Sequence, residues 1–277
     1  MAIRVNTNTA ANSAITKLGQ TGRSLSKSFQ RISSGLRIVR AADDAAGLGV
    51  AESLKVSYDS SRVAQRNIGD GISVVTVAES ASTEVASIIG RIRELAVQSA
   101  SETLGTAERA YIQDEFLAIS AEVDRIANVT EFNGMKLSDG SDTLMNVQVG
   151  IGATVNDQVG IDLGDLRSTT LAVDSVTIDL STAAGATAAL AFVDAALDTV
   201  NSYRSKLGAA ENRLGSALNN IEVFAENTKA AESQIRDADF GEETADLAKY
   251  QIMQQAGVAV LAQAKNLGQS VVQLLQS

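Results

Sequence analysis

The side chains in this sequence that could carry out chemistry are mostly carboxylates. Acidic residues stand next to each other at Asp43-Asp44 and Glu242-Glu243, and close together at Asp237 and Asp239. General acid–base catalysis needs two carboxyl groups in different environments of one cleft, whereas neighbouring helix positions face different directions. Helix N-termini favour acidic residues. We therefore predict that these carboxylates cap helices or lie in solvent, and that the protein is not an enzyme.

Missing residue types exclude several classes of active site. The chain of 277 residues contains no His, Cys, Pro or Trp. Without His and Cys, neither Ser-His-Asp nor Cys-His catalysis is possible, and zinc or iron–sulfur sites of the usual kind have no ligands. The carboxylates also lack the spacing of a calcium-binding loop. We expect no cofactor and no metal site.

Two glycine-rich stretches superficially resemble nucleotide-binding loops. Gly47-Leu48-Gly49 lies inside a helical stretch, and Gly150-Ile151-Gly152 ends a strand that no helix follows. A dinucleotide-binding loop joins a strand to a helix, so neither stretch has the required context. We expect close helix packing at the first stretch and a hairpin turn at the second.

Charge and hydropathy exclude two kinds of partner. With 23 basic and 33 acidic residues the formal net charge is −10, which disfavours nucleic acid because phosphate binding needs a basic patch. No stretch approaches the roughly 18 uncharged apolar residues of a membrane helix, so we predict no membrane insertion. No apolar run follows Arg4, so a secretory signal peptide is not visible. We expect a soluble chain, or one exported by another route.

Apolar spacing predicts three helices in the first half of the chain. From Ile15 to Ile32 the apolar residues follow steps of three and four, which is typical of a coiled-coil seam. A second helix is expected from Asp43 to about Ser101. The third carries a strict heptad pattern. Its apolar positions are Ile112, Phe116, Ile119, Val123 and Ile126.

The next segment has β character. Turn residues occur at 131–134 and 138–140, and apolar residues alternate with polar residues or glycine at 145–151 and 159–163. Alternation of this kind predicts a β-hairpin. A third strand is possible at 176–180.

Helical spacing returns after an Ala-, Thr- and Ser-rich linker at 181–187 and extends to about Arg236, with no Pro to stop it. A final helix at about 247–275 is apolar on more than one face, and each apolar face must be buried. We therefore expect self-association. The predicted fold class is mainly α, with long antiparallel helices forming a coiled coil or helical bundle and a small β-hairpin region.

Several long motifs resemble those of bacterial flagellins and occur in the same order. They cover nearly the whole chain except roughly 168–187. The motifs include Arg31-Ile32-Ser33-Ser34-Gly35-Leu36-Arg37-Ile38, Ala41-Ala42-Asp43-Asp44-Ala45-Ala46-Gly47-Leu48, Ile92-Arg93-Glu94-Leu95-Ala96-Val97-Gln98-Ser99, Glu131-Phe132-Asn133-Gly134-Met135-Lys136-Leu137, Leu207-Gly208-Ala209-Ala210-Glu211-Asn212-Arg213-Leu214 and Gln254-Gln255-Ala256-Gly257.

The resemblance implies a structural subunit that self-assembles into the helical flagellar filament used for swimming. It implies an inner coiled-coil domain formed by 1–42 and 237–277. An outer-tube helical domain with the β-hairpin would comprise 43–165 and 187–236, and 166–186 would be a short variable region.

The resemblance also assigns roles to particular residues. Those expected to pack in the filament core are Ile15, Leu18, Leu25, Phe29, Ile32, Leu247, Leu261, Leu274 and Leu275. Arg91, Leu95 and Glu115 match the stretches that a flagellin-sensing Toll-like receptor recognises in animals.

Further expected partners are other copies of the chain, the flagellar cap, the hook-junction proteins and an export chaperone that masks the tail around 258–275. The resemblance places the protein outside the cell, in the flagellum, after type III export without a cleaved signal peptide.

Three other functions stay open. A hook–filament junction protein of the same superfamily shares the terminal coiled coils. A coiled-coil binding module would form stable small oligomers rather than open filaments. A carboxylate-based enzyme would need convergent carboxyl groups in a cleft, which the spacing does not support.

Overall fold

The computed structural model describes the backbone of residues 8–276 and the side chains of residues 8–266. This part of the chain is mainly α-helical, as the apolar spacing predicts. Its helices are α1 (Thr9–Ser34), α2 (Ala45–Ser99), α3 (Thr106–Val129), α4 (Ala183–Arg236) and α5 (Phe240–Gln276).

The β region consists of two antiparallel pairs. The strands are β1 (Glu131–Phe132), β2 (Met135–Lys136), β3 (Leu144–Gln148) and β4 (Gln158–Asp162). Asn133 and Gly134, with φ of 50° and 80°, join β1 to β2, and positive φ at both positions is typical of a type I′ hairpin turn. Val147 lies opposite Val159 on β3 and β4, and both are buried. The predicted hairpin is confirmed.

The chain divides into two compact units. The middle unit consists of Ser57–Glu226, and the terminal unit consists of the described residues on either side of it. Both boundaries fall inside helices, one in α2 and one in α4.

The middle unit holds the hydrophobic core. On α3 the heptad residues Phe116 and Val123 have no exposed surface. On α4, buried side chains recur every seven residues, which places them on one face of the helix. They are Val193, Val200, Leu207, Leu214 and Ile221. Helical periodicity therefore identifies the core-facing side of both helices correctly.

The expected third strand at 176–180 is wrong. The Asp174 backbone and side-chain oxygens accept hydrogen bonds from the Thr177 N–H, which forms a turn that competes with an extended chain. The backbone of Leu180 forms hydrogen bonds with side chains and not with a neighbouring strand. Its N–H donates to Gln113 Oε1 at 2.7 Å, and its carbonyl accepts from Ser99 Oγ at 2.6 Å. The segment is a connection fixed to two helices.

By length and composition alone, two helices in the described part of the chain, α2 and α4, could cross a membrane. The sequence alone predicts no such stretch. The core helix of a soluble protein has the same length and composition. Ile89 of α2 and Val200 of α4 are fully buried inside the middle unit.

The start of the segment that connects β4 to α4 is organised by one carboxylate. Asp165 accepts hydrogen bonds from the Arg167 guanidinium at 2.6 and 2.9 Å and from the Thr170 hydroxyl at 2.6 Å. The Arg167 backbone N–H donates to the same carboxylate at 3.1 Å. Chiefly because of Arg167, the pKa of Asp165 falls from 3.8 to about 2.

We predict that Asp165→Asn destabilises the protein by about 1 kcal/mol at pH 7. This value is smaller than the lowered pKa alone would imply, because solvent screens the partly exposed partner Arg167. Because the folded-state pKa is lowered, the stabilisation is complete above the unfolded pKa near 4. It is lost as the pH falls towards 2. Urea unfolding at pH 7, 4 and 2.5 measures the difference from the parent chain. An equal difference at all three pH values would contradict the assignment.

Candidate assembly surface

An isolated bridge in the terminal unit fixes the relation of the two chain ends. Leu36, just after α1, forms an antiparallel bridge with Asp237, just after α4. Next to the bridge, the Arg37 N–H donates to the Arg236 carbonyl at 2.7 Å. The Arg37 guanidinium also donates to the Ile235 carbonyl at 2.6 Å. These bonds join segments about 200 positions apart and set the register in which α1 meets α5.

Gly35 makes this bridge possible. It ends α1 with φ of 71°, a left-handed conformation that glycine adopts without steric cost. Its carbonyl accepts a hydrogen bond from the Ala238 N–H at 3.0 Å.

A charged pair lies between α1 and α5. Arg31 Nη1 donates to Glu243 Oε1 at 2.8 Å, and the side chains are 25% and 10% exposed. Such a pair in a partly buried position is costly to break, because the remaining charge loses its partner and cannot be fully hydrated. Lys27 and Asp43 form a second pair at 2.6 Å, and the hydrogen bond from Lys27 lowers the pKa of Asp43.

Other carboxylates in the sequence motifs act on helix ends. Asp44 accepts a hydrogen bond from the Gly47 N–H at 2.8 Å near the start of α2. Asp239 accepts from the N–H groups of Gly241 and Glu242 at 2.7 and 3.2 Å at the start of α5. The predicted capping role is confirmed for these two residues. Among the described residues, no three acidic side chains form a group that could hold a metal ion.

The helices α1 and α5 leave much of their apolar surface uncovered. Fully or largely buried apolar side chains are few in the described part of the terminal unit, and they are Ile38, Ala51 and Ala264. Large apolar side chains that stay exposed on α1 and α5 include Ile15, Phe29, Phe240, Ile252, Met253, Val258 and Val260. The single apolar stripe of α1 cannot cover the apolar residues of α5, which lie on more than one face.

Several of the residues expected in the filament core line two shallow grooves. Leu25, Phe29 and Leu247 line a groove of about 280 Å³. Leu18 lies in a second groove of about 470 Å³ between the same two helices.

Among the described residues, Ile15, Ile32 and Leu261 do not line either groove. Ile15 is 51% exposed, and Ile32 and Leu261 are half-buried. The side chains of Leu274 and Leu275 lie outside the described residues.

The three residues predicted to meet a receptor do not form one surface. Arg91 donates to Glu115 at 2.7 and 3.2 Å and to Glu94 at 2.8 Å, and all three side chains are exposed. These carboxylates, Glu115 first, raise the pKa of Arg91. Leu95 is only 1% exposed and packs in the core of the middle unit. In this conformation it supports the helix and is not available to a partner.

Comparison with known proteins decides the family. Residues 5–143 match the family model described as the bacterial flagellin N-terminal helical region. Residues 190–275 match the model of the bacterial flagellin C-terminal helical region. The chain belongs to the flagellin family.

Individual flagellins agree with this result. The chain is 38% identical to the flagellin of Bacillus subtilis (strain 168), over 99% of this chain and 100% of that protein. It is also 38% identical to the flagellar filament 33 kDa core protein of Treponema phagedenis, over 98% and 99% of the two chains. The crystal structure of Bacillus cereus flagellin is 27% identical and covers 56% of this chain and 88% of its own, with a TM-score of 0.50. Flagellins are a family of structural proteins.

Two features of this flagellin's terminal unit were not predicted from the sequence. They are the bridge between Leu36 and Asp237 and the pair between Arg31 and Glu243. The local sequence does not predict the bridge, because each side of it is a single residue and the two residues lie far apart in the chain. The pair had a weak signal. Arg31 directly precedes Ile32 of the apolar stripe, and Glu243 stands in the first turn of α5.

We predict that Glu243→Ala loosens α1 from α5 by about 2 kcal/mol, because Arg31 would lose its carboxylate partner. Hydrogen exchange of the α1 amides should become about 30-fold faster while amides of the middle unit keep their rates. The matched control is Asp246→Ala, which breaks the surface pair with Lys249, where the side chains are 40% and 60% exposed. It should change exchange by less than about threefold. Equal effects of the two variants would contradict a structural role for the Arg31–Glu243 pair.

Proposed function

We propose that this chain is a structural subunit of the bacterial flagellar filament and that it polymerises with copies of itself. The observation that carries this proposal is the uncovered apolar surface of α1 and α5. In the flagellin family, relatives named as flagellar filament core proteins match almost the full length of the chain.

Burial of this surface supplies the free energy of assembly. Phe29 and Ile252 are each 65% exposed, and Val260 is 59% exposed. Complete burial of one such side chain is worth about 1.5–3 kcal/mol. The net charge of −10 opposes association of identical subunits. Apolar contacts must therefore outweigh charge repulsion, and a neighbouring copy offers a matching apolar surface.

Assembly also stabilises the terminal unit. Because its own apolar core is small, α1 and α5 gain most of their packing from neighbouring subunits. A polymer that binds the folded form shifts the equilibrium towards it. We propose that 1–42 and 237–277 line the filament interior, that 43–165 and 187–236 form the outer tube, and that 166–186 takes the place of the variable region.

The remaining partners are proposed by analogy with other flagellins. We propose export through the flagellar type III channel without a cleaved signal peptide and incorporation beneath a cap, with hook-junction proteins at the filament base. An export chaperone would cover the tail around 258–275 before assembly. Val258 and Val260, 54% and 59% exposed, are the apolar side chains such a chaperone would mask first.

We predict that Phe29→Ser abolishes or strongly slows filament growth without unfolding the subunit. Phe29 is exposed in the monomer, so the stability of the monomer should change by less than about 0.5 kcal/mol. Loss of its burial against a neighbour should weaken each addition by about 1.5–3 kcal/mol. Purified full-length chain is added to sheared filament seeds, and elongation is followed by light scattering and electron microscopy.

The matched control for Phe29→Ser is Val176→Ser, which changes an apolar side chain that is 89% exposed in the middle unit. It should leave elongation near the parent rate. If the unmodified chain forms only compact small oligomers, the filament proposal is wrong. A junction protein or a binding module would then be the better description.

We also propose that the exposed cluster of Arg91, Glu94 and Glu115 is where a flagellin-sensing Toll-like receptor contacts the monomer. The cluster presents one guanidinium between two carboxylates on α2 and α3. Leu95 would contribute only by packing beneath it.

Pure monomer should activate receptor-expressing reporter cells, and Arg91→Ala should raise the concentration needed by about tenfold, because charge-assisted hydrogen bonds are lost. Arg93→Ala is the matched control. Arg93 stands two positions away, is 47% exposed and pairs with Asp194 at 2.8 Å. An inactive parent monomer, or equal effects of the two variants, would contradict this site.

A further inference from the structure

One sulfur atom lies in the apolar surface proposed for assembly. The groove of about 470 Å³ between α1 and α5 is lined on the α5 side by Met253, Ala256, Gly257 and Val260. Their spacing of three, four and seven places them on one face of the helix. The Met253 side chain is 48% exposed in the monomer, so small solutes reach it.

Close helix approach makes this groove sensitive to any added polar atom. A Cβ placed at Gly257 would lie 3.1 Å from Leu18 Cδ1, which shows how near the two helices come. The lining is almost entirely carbon, and its polar groups are those of Ser13, Lys17 and Thr21 on the α1 side. Thr21 already donates its hydroxyl hydrogen bond to the Lys17 carbonyl at 3.1 Å.

Methionine is the residue in this groove that peroxide can oxidise. The thioether sulfur attacks hydrogen peroxide, an S–O bond forms as the O–O bond breaks, the sulfur loses two electrons, and water is released. The product, methionine sulfoxide, is polar where the thioether was apolar, and it disrupts apolar interfaces.

We propose that Met253 is an oxidation site at which hydrogen peroxide blocks addition of the free subunit to a filament. The proposal rests on the proposed function, because it requires that polymerisation cover the groove. A polar sulfoxide oxygen placed among the apolar side chains of the covered groove weakens addition of the subunit by about tenfold. Subunits already in the filament keep Met253 covered and escape oxidation, so peroxide acts on growth and spares existing filaments.

The chain provides its own controls. It has four methionines. Met135 is 39% exposed and Met145 is half-buried, and both belong to the middle unit. Met1 lies outside the described residues. Met253→Leu removes the sulfur at nearly constant volume and polarity, a substitution that packed sites tolerate well.

The experiment treats the full-length monomer with hydrogen peroxide and measures the sulfoxide at each methionine by peptide mass spectrometry. Seeded elongation is then measured before and after treatment. Parent chain with fully oxidised Met253 should elongate about tenfold more slowly, and partial oxidation should slow elongation in proportion to the amount of Met253 sulfoxide. Methionine sulfoxide reductase should restore the rate. Treated Met253→Leu should stay within twofold of its untreated rate, and the double variant of Met135→Leu and Met145→Leu should lose activity like the parent.

Two results would overturn the proposal. One is undiminished elongation by parent chain in which Met253 is fully oxidised. The other is equal inhibition of the parent and Met253→Leu. A second measurement compares Met253 oxidation in monomers and in intact filaments, where equal rates would show that assembly leaves the groove open. Failure of the untreated parent to elongate seeds would refute the filament function itself, so the two failures are distinguishable.

Discussion

The structure depends on one imbalance, which is that α1 and α5 carry more apolar surface than two helices can hide from water. A pair of helices buries one stripe of each, but apolar side chains of α5 occupy further faces, and Phe29 on α1 and Ile252 on α5 each stay 65% exposed. Water therefore remains in contact with them until another molecule covers them. We propose that the hydrophobic effect, which completes a core within most domains, acts here between subunits.

The two units are stabilised in different ways. The middle unit, Ser57–Glu226, contains a continuous core that includes Phe116 and Leu207 and can supply its own stability. The terminal unit relies instead on directional contacts, namely the bridge at Leu36 and Asp237 and the pair between Arg31 and Glu243. Such contacts contribute little net free energy but define one register. A defined register presents the same apolar pattern on every copy, which a regular polymer requires.

The many carboxylates of this chain cap helices, anchor a connecting segment and repel other copies of the chain. Asp44 and Asp239 satisfy backbone N–H groups at helix starts, and Asp165 anchors a connecting segment. The remaining negative charge keeps free subunits apart. The same acidic residues that could have carried out chemistry therefore explain local structure, and membership of a structural protein family agrees with this.

The sequence by itself determined the elements whose pattern repeats locally. The heptad through Phe116 and the alternation of β3 and β4 are correct because each residue's facing depends on its position along one helix or strand. Excess apolar surface on the last helix was also predictable, because a count of apolar faces needs no partner. The resemblance of the long motifs indicated the family.

Only the tertiary structure decided features whose partners lie far away in the chain. The stretch 176–180 alternates like a strand, yet Gln113 and Ser99 pair the backbone at Leu180, and neither lies near it in sequence. Leu95 matches a recognition motif but faces the core. Likewise, Leu36 meets Asp237 only because two long helices return to one place. Periodicity records which way a side chain faces, whereas long-range contacts depend on where whole helices pack.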